Sequence, residues 1–114
     1  MVMDNLFLCV KDENELIIRI REEIKEFRHG IFMMARKDIY DMCNKIRVYE
    51  CLYEYFDCCE ELKPLHVRAC LRERNILQSL YELYVKHEYL KVDTWEDIEA
   101  LLDEFVRRQS GEAA

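Results

Sequence analysis

Glycine and proline are scarce in this chain of 114 residues, which contains two glycines, Gly30 and Gly111, and one proline, Pro64. Folds built from β-strands use both residue types freely at turns, so their scarcity favours helices. Hydrophobic residues make up 51% of the chain, which is enough to form one core in a single domain. The sequence therefore predicts an all-α fold, a compact bundle of about five helices, as one domain over residues 1–114.

A wide apolar stripe runs through residues 38–56 and predicts the central helix of this bundle. Its members recur in steps of three and four residues, which returns them to one side of a helix. They are Ile39, Met42, Cys43, Ile46, Tyr49, Leu52, Tyr53 and Phe56. Because the stripe is wide and aromatic, several partner helices are needed to cover it.

Four more helices are predicted over about residues 14–34, 63–73, 76–89 and 94–109, the first of them capped by Asp12 or Asn14. Their apolar stripes are Leu16, Ile20, Ile24, Phe27 and Ile31 in the helix over 14–34, Ile76, Leu77, Leu80, Leu83 and Tyr84 in the helix over 76–89, and Trp95, Ile98, Leu101, Leu102, Phe105 and Val106 in the last helix. Pro64 suits the first turn of the short helix over residues 63–73, in which Leu65, Cys70 and Leu71 are expected to point inward. Thr94 followed by Asp97 resembles a capping box at the start of the last helix. Residues 1–11 are predicted to be an apolar tail, and residues 110–114 a frayed end.

The net charge of −7 is spread unevenly along the chain. Residues 63–92 carry six Lys or Arg against three Asp or Glu, whereas residues 93–114 carry two against seven. The acid excess argues against non-specific nucleic-acid binding by the whole molecule, and it leaves room for an acidic surface that meets a basic partner.

The last predicted helix is the first candidate for such a surface, because Glu96, Glu99 and Asp103 share one face at helical spacing. One interpretation is a surface offered to the basic groove of another protein, such as a nucleic-acid channel. The other is an ordinary solvated face whose early acids interact favourably with the helix dipole. In the first interpretation the partner-binding residues are Glu96, Glu99, Asp103 and Glu104, joined by Leu6 and Phe7 from the apolar tail.

The basic segment 63–92 is the second candidate, as a nucleic-acid contact made by Arg68, Arg72, Arg74 and Lys86. Tyrosines 81, 84 and 89 could stack on bases there. The alternative is that these charges pair with the acidic helices and that the tyrosines belong to the core.

Cysteine and histidine spacing gives weak support to metal binding or catalysis. Cys58, Cys59, His66 and Cys70 form C-C-x6-H-x3-C, but adjacent cysteines rarely chelate one ion, and the C-x2-C spacing of zinc sites is missing. No Gly-rich phosphate loop or H-E-x-x-H motif occurs, and the histidines are expected at the surface or half-buried. We therefore predict free thiols, no metal, no cofactor and no enzymatic activity.

The apolar and basic segments of the chain bear on its location in the cell. The chain has no run of 18 apolar residues and no basic segment before its apolar start, which favours a cytoplasmic protein without a membrane span.

Four residues lie off the main stripes of their helices: Tyr40, Cys51, Tyr55 and Tyr81. Exposed aromatic residues favour interfaces, so a homodimer fits this pattern.

Four segments in order resemble an uncharacterised family of small acidic helical proteins found mainly on phages and other mobile elements of anaerobic gut bacteria. The segments are ELIIRIREEIKEFR, DIYDMCNKIRVYECLYEYF, LRERNILQSLYELYVKHE and WEDIEALLDEFVRR, which cover most of residues 14–109. The resemblance implies a mobile-element context, in which small acidic proteins often antagonise host-defence nucleases as anti-CRISPR proteins do. It implies no catalytic residue.

Charge and resemblance together lead to one functional hypothesis and one alternative. The hypothesis is a non-enzymatic interaction protein, an anti-CRISPR-like inhibitor of a nucleic-acid-handling enzyme of host defence, which acts through its acidic surface. The alternative is a small regulator or adaptor that contacts nucleic acid through the basic segment 63–92.

Overall fold

Six α-helices follow one another along the chain in a computed structural model that describes the backbone of residues 2–112 and the side chains of residues 11–110. They are α1 (Val2–Phe32), α2 (Arg36–Asp41), α3 (Cys43–Cys58), α4 (Pro64–Leu71), α5 (Ile76–Lys86) and α6 (Trp95–Arg107), and a π-helical turn, Arg108–Glu112, comes after α6. The all-α prediction is confirmed.

Helix α1 is the longest element and sets the shape of the molecule. Its 31 residues span about 46 Å at 1.5 Å per residue, which accounts for most of the 54 Å length of the 54 × 29 × 25 Å molecule. It begins at Val2, so the predicted start at Asp12 or Asn14 is wrong, and residues 2–11 are helical instead of forming a separate tail. No glycine or proline precedes Gly30, so the sequence contains no residue that would stop the helix earlier.

The predicted central helix is divided in two at Met42, whose φ of −101° and ψ of 10° lie outside the helical range. Helix α3 packs against α1, α5 and α6, and it therefore buries more than the single predicted stripe. Val48 and Tyr55 are buried although neither belongs to that stripe, whereas Cys43, which does, is exposed.

The core of the body is formed by one buried stripe from each of the long helices. Helix α1 contributes Leu16, Ile20 and Ile24, as predicted. The predicted apolar sides of α5 and α6 are buried at Ile76, Leu77, Leu80, Leu83, Ile98, Leu101, Leu102 and Phe105. Leu65 is 63% exposed, so the prediction that it points inward is wrong, because α4 packs through His66, Val67, Ala69 and Cys70.

Polar side chains of α1 hold the junction between α4 and α5. The guanidinium of Arg19 donates hydrogen bonds to the carbonyl oxygens of Leu71 and Arg74, at 3.1 and 3.2 Å, where α4 ends. One turn further along α1, the carboxylate of Glu23 accepts hydrogen bonds from the backbone N–H groups of Ile76 and Leu77, at 2.9 and 2.8 Å. Helix α1 therefore caps both the C-terminus of α4 and the N-terminus of α5.

Candidate functional site

An open cleft lies where the loop after α3 faces the first half of α6. It is lined by Cys58, Cys59, Glu60 and Glu61 from the end of α3 and its loop, and by Trp95 and Glu99 from α6. Two of the three carboxylates come from a segment more than 30 residues before α6 in the sequence. The fold therefore extends the predicted acidic face of α6 into a surface formed by two elements, which we call the acidic cleft.

The start of α6 is fixed by its cap. The hydroxyl of Thr94 accepts a hydrogen bond from the backbone N–H of Asp97 at 3.1 Å, and the Asp97 carboxylate accepts one from the N–H of Thr94 at 3.2 Å. This is the predicted capping box. With the start fixed and the apolar side packed inward, helical geometry sets Glu96, Glu99 and Asp103 on the opposite, solvent-facing side.

Four carboxylates of this region have no neutralising partner among residues 11–110. Glu60, Glu61, Glu96 and Glu99 form no ion pair with any side chain among residues 11–110. Of the four, Glu99 also acts on the interior: burial raises the pKa of Tyr55, and the nearby Cys59 thiol and the carboxylates of Glu99 and Asp103 add to that rise. The acidic cleft is therefore a site of concentrated negative charge.

Trp95 provides the apolar part of the same site. It was predicted to lie in the buried stripe of α6, but it is 47% exposed, and its ring meets the ring of buried Tyr55 edge-on at 5.7 Å. An aromatic ring held from one side by the core, with its other side open next to carboxylates, offers a surface on which a cation can stack.

Asp103 lies on the acidic face but already has a partner inside the protein. Its carboxylate is 2.7 Å from Nε2 of His66, a side chain that is only 2% exposed. The expectation that the histidines lie at the surface or half-buried is therefore wrong for His66. Its Nδ1 is buried without a hydrogen-bond partner among the described residues. Asp103 thus helps to hold α6 against α4, and its carboxylate is less available to a partner than that of Glu99.

Glu104 is also engaged within the protein. Its side chain is 13% exposed and pairs with the guanidinium groups of Arg107 and Arg108 one turn further along. The hydrogen bond from Arg107 lowers the pKa of the Glu104 carboxyl. The structure therefore does not place Glu104 in the acidic cleft with Glu99. The side chains of Leu6 and Phe7, the two predicted contacts from the tail, lie outside the described residues.

The basic residues of the alternative hypothesis come from α4, from the connection between α4 and α5, and from the end of α5. Arg68, Arg72, Arg74 and Lys86 are exposed, and none forms an ion pair with a carboxylate in the described part of the chain. The expectation that they pair with the acidic helices is therefore wrong for the described carboxylates. Lys86 ends α5, about 15 Å of helix away from the end that adjoins Arg74, so the four side chains are spread over more than one element.

Tyr81 and Tyr84 are half-buried, with ring centroids 6.3 Å apart, whereas Tyr89 is 66% exposed. Two of the three tyrosines are thus partly occupied by the core and are poor platforms for bases. This arrangement weakens the interpretation of residues 63–92 as a stacking surface.

Metal and thiol chemistry receive little support from the geometry. Among residues 11–110, no three His, Cys, Asp or Glu side chains are close enough to hold one metal ion, so the spacing of Cys58, Cys59, His66 and Cys70 does not become a site. Burial raises the pKa of the Cys70 thiol to about 12 and also raises that of Cys51. A thiol that stays protonated is a poor nucleophile. No hydrogen bond joins a cysteine to a histidine within the described residues.

Two members of the acidic cleft, Glu60 and Glu61, were not predicted from the sequence. The only local signal was their position as adjacent acids between the end of a helix and Pro64. Their proximity to Glu99 depends on how α3 packs against α6, and residue spacing in the sequence does not predict that packing.

Comparison with protein-family models, curated proteins and solved structures found no match to this chain. The resemblance to proteins of phages and mobile elements therefore stays a prediction from sequence. Separately, none of the described helices has the length and apolar character needed to cross a bilayer.

Proposed function

We propose that this protein is a non-enzymatic interaction protein of the cell interior that inhibits a nucleic-acid-handling enzyme of host defence. The carboxylates around the acidic cleft would bind basic residues of that enzyme's nucleic-acid groove and so compete with its nucleic acid. The observation that carries the proposal is the convergence of Glu60, Glu61 and Glu99 around exposed Trp95.

The charge of the cleft suits a lysine- or arginine-rich surface. Like charges placed close together cost stability, so carboxylates with no described counter-ion bring the isolated fold no evident benefit. Opposite charge on a partner would relieve this repulsion and would speed encounter at low salt. An arginine that reached the cleft could pair with Glu99 and stack on Trp95 at the same time.

The absence of visible chemistry in the cleft supports a binding role over catalysis. Its polar lining consists of carboxylates and two thiols. His66, which contacts α6, is buried against Asp103 and does not line the cleft. Competition for a basic groove needs exposed negative charge and an apolar contact, which Glu60, Glu61, Glu99 and Trp95 provide.

A capture experiment with two matched variants tests this proposal. The cleft variant carries Glu60→Lys, Glu61→Lys and Glu99→Lys, and leaves Asp103 in place because it contacts buried His66. The α1 control variant carries Glu15→Lys, Glu22→Lys and Glu26→Lys, which change the net charge equally at exposed positions of α1 that form no ion pair with a described residue. Each protein is used as bait in host-cell lysate, with and without nuclease treatment.

We expect the wild type and the α1 control variant to capture a nucleic-acid-handling enzyme that persists after nuclease treatment. The cleft variant should lose it while keeping the wild-type circular dichroism spectrum. Capture that survives in the cleft variant would refute the acidic-cleft mechanism. Recovery only of nucleic acid, or of partners that vanish on nuclease treatment, would favour the regulator hypothesis, which a gel shift of Arg68→Ala/Arg72→Ala at two salt concentrations would then test.

A further inference from the structure

The connection between α1 and α3 forms an exposed apolar end of the molecule. Phe32 is 84% exposed, Met33 71% and Tyr40 79%, and all three lie within nine residues of sequence. We call residues 32–42 the apolar tip. It is separate from the acidic cleft, whose lining residues come from the end of α3, its loop and α6.

Helix α2, the middle of the apolar tip, lacks the contacts that normally stabilise so short a helix. Of its six residues none is buried against the described part of the chain, and its N-cap residue, Ala35, provides no side-chain hydrogen bond. Isolated helices of this length are marginal in water, because nucleation costs more than a few hydrogen bonds return. Its apolar residues are thus available for packing that the single chain does not provide.

We infer that the apolar tip is the interface of a homodimer, in which the tips of two copies pack against each other about a two-fold axis. Phe32 and Tyr40 together would contribute roughly 300 Å² of aromatic surface, since an aromatic side chain buries about 150–250 Å² when covered fully. Met33 and the charged residues of α2 enlarge this surface toward the roughly 800 Å² that each partner buries in a stable interface.

The charges of α2 favour a second copy as the occupant. Arg36 and Lys37 stand at its start, whereas Asp38 and Asp41 follow toward its end. In a two-fold interface the same patch meets itself, so antiparallel α2 helices would set the basic start of one copy against the acidic end of the other. The two bases and two acids of α2 cancel, so the tip lacks the net positive charge that attracts proteins to an anionic membrane surface.

Sedimentation velocity of the full chain over a range of concentrations tests the interface. We expect the wild type to dimerise, and Phe32→Glu/Tyr40→Glu to weaken dimerisation at least about tenfold, since buried aromatic residues dominate interfaces. Leu65→Glu/Tyr89→Glu is the matched control, because it adds the same charge at two positions that are 63% and 66% exposed elsewhere. The control should dimerise like the wild type.

A charge exchange separates a two-fold interface from any other effect on α2. Lys37→Glu alone would set two acids against each other, and Asp41→Lys alone would set two bases against each other, so each should dimerise more weakly than the wild type. Mixed in equal amounts, the two variants should form a heterodimer, because both contacts then join opposite charges. Failure of the mixture to associate more strongly than either variant alone would refute the antiparallel arrangement.

Three results would overturn the inference. One is a wild type that stays monomeric up to millimolar concentration. The second is a dimer that Phe32→Glu/Tyr40→Glu leaves intact, which would place the interface elsewhere. The third is a monomeric wild type that binds vesicles of neutral and anionic lipid through the tip, which would make the tip a membrane contact. None of these results bears on the acidic cleft.

Discussion

Two partly buried glutamates, Glu23 on α1 and Glu99 on α6, have opposite surroundings. Glu23 accepts hydrogen bonds from two backbone N–H groups at the start of α5. Glu99 lines the acidic cleft beside Glu60 and Glu61 and forms no ion pair with any residue of the described chain. Both residues belong to acidic, amphipathic helices, and sequence alone does not distinguish them.

The comparison distinguishes a carboxylate that stabilises the fold from a carboxylate that has no structural partner among residues 11–110. Removing Glu23 would leave two helix-end N–H groups without an acceptor, so its carboxylate belongs to the stability of the body. Removing Glu99 would relieve repulsion and leave no donor unsatisfied. We therefore assign Glu99 and its neighbours to partner binding.

The largest effect should come from Glu23→Ala, which we expect to lower the free energy of unfolding by about 2 kcal/mol, the range of a lost helix cap made by a charged group. Glu99→Ala should change it by less than about 0.5 kcal/mol. Urea unfolding followed by circular dichroism measures both. Asn75→Ala is the control at the same helix end, since the Asn75 side chain provides no cap. Equal losses in the free energy of unfolding for Glu23→Ala and Glu99→Ala would show that the two carboxylates do not differ in their contribution to the fold.

A smaller loss is expected from Arg19→Met, which keeps much of the aliphatic stem but removes the donors to the carbonyl groups at the end of α4. We expect a loss of about 1 kcal/mol in the free energy of unfolding. Arg68→Met removes an equally long cation from the exposed face of α4 and should change it little. A larger loss from Arg68→Met than from Arg19→Met in the same urea titration would contradict the role given to α1.

The stability of the protein should also depend on pH in the alkaline range, because the pKa values of two groups near Glu23, Cys70 and Tyr49, are raised in the folded state. Burial, with help from the Glu23 and Glu73 carboxylates, raises the pKa of Cys70 from its usual 9.0 to about 12, and burial raises that of Tyr49 from 10.0 to about 12. Because the folded state holds these protons more tightly, the stabilisation is complete below pH 9 and is lost as pH rises toward 12.

Unfolding in urea across this range measures the slope of stability against pH. Cys70→Ala should flatten most of the decline just above pH 9, where the Cys51 thiol, whose pKa burial also raises, adds the rest, whereas Cys58→Ala, at an exposed thiol, should leave it unchanged. An identical slope in Cys70→Ala and the wild type would show that the buried thiol is not the titrating group.

Much of the fold could be predicted because its determinants are local. The capping box of Thr94 and Asp97 and the stripe of α6 from Ile98 to Phe105 are encoded within a dozen neighbouring residues, and both are confirmed. The prediction is wrong only for the first member of the stripe, Trp95, which is 47% exposed. The start of α1 was predicted wrongly, because Asp12 and Asn14 are good caps yet are also tolerated inside a long helix. The division of the central helix at Met42 has no local signal that we can identify.

The site was harder to predict because its members are distant in sequence. Periodicity correctly set Glu96, Glu99 and Asp103 on one face, but it could not report that Asp103 meets His66 or that Glu104 is held by Arg107 and Arg108. Nor could it bring Glu60 and Glu61 to Glu99. These facts depend on how α3, α4 and α6 pack together, and only the three-dimensional structure shows them.

The most direct test of the acidic cleft is the rate at which the protein associates with its captured enzyme, measured by stopped flow at several salt concentrations. We predict that the cleft variant associates about tenfold more slowly than the wild type at low salt, and that the difference shrinks as salt screens the charges. The α1 control variant should keep most of the wild-type rate. Equal rates for the cleft variant and the α1 control variant at every salt concentration would show that the charge of the acidic cleft does not drive association.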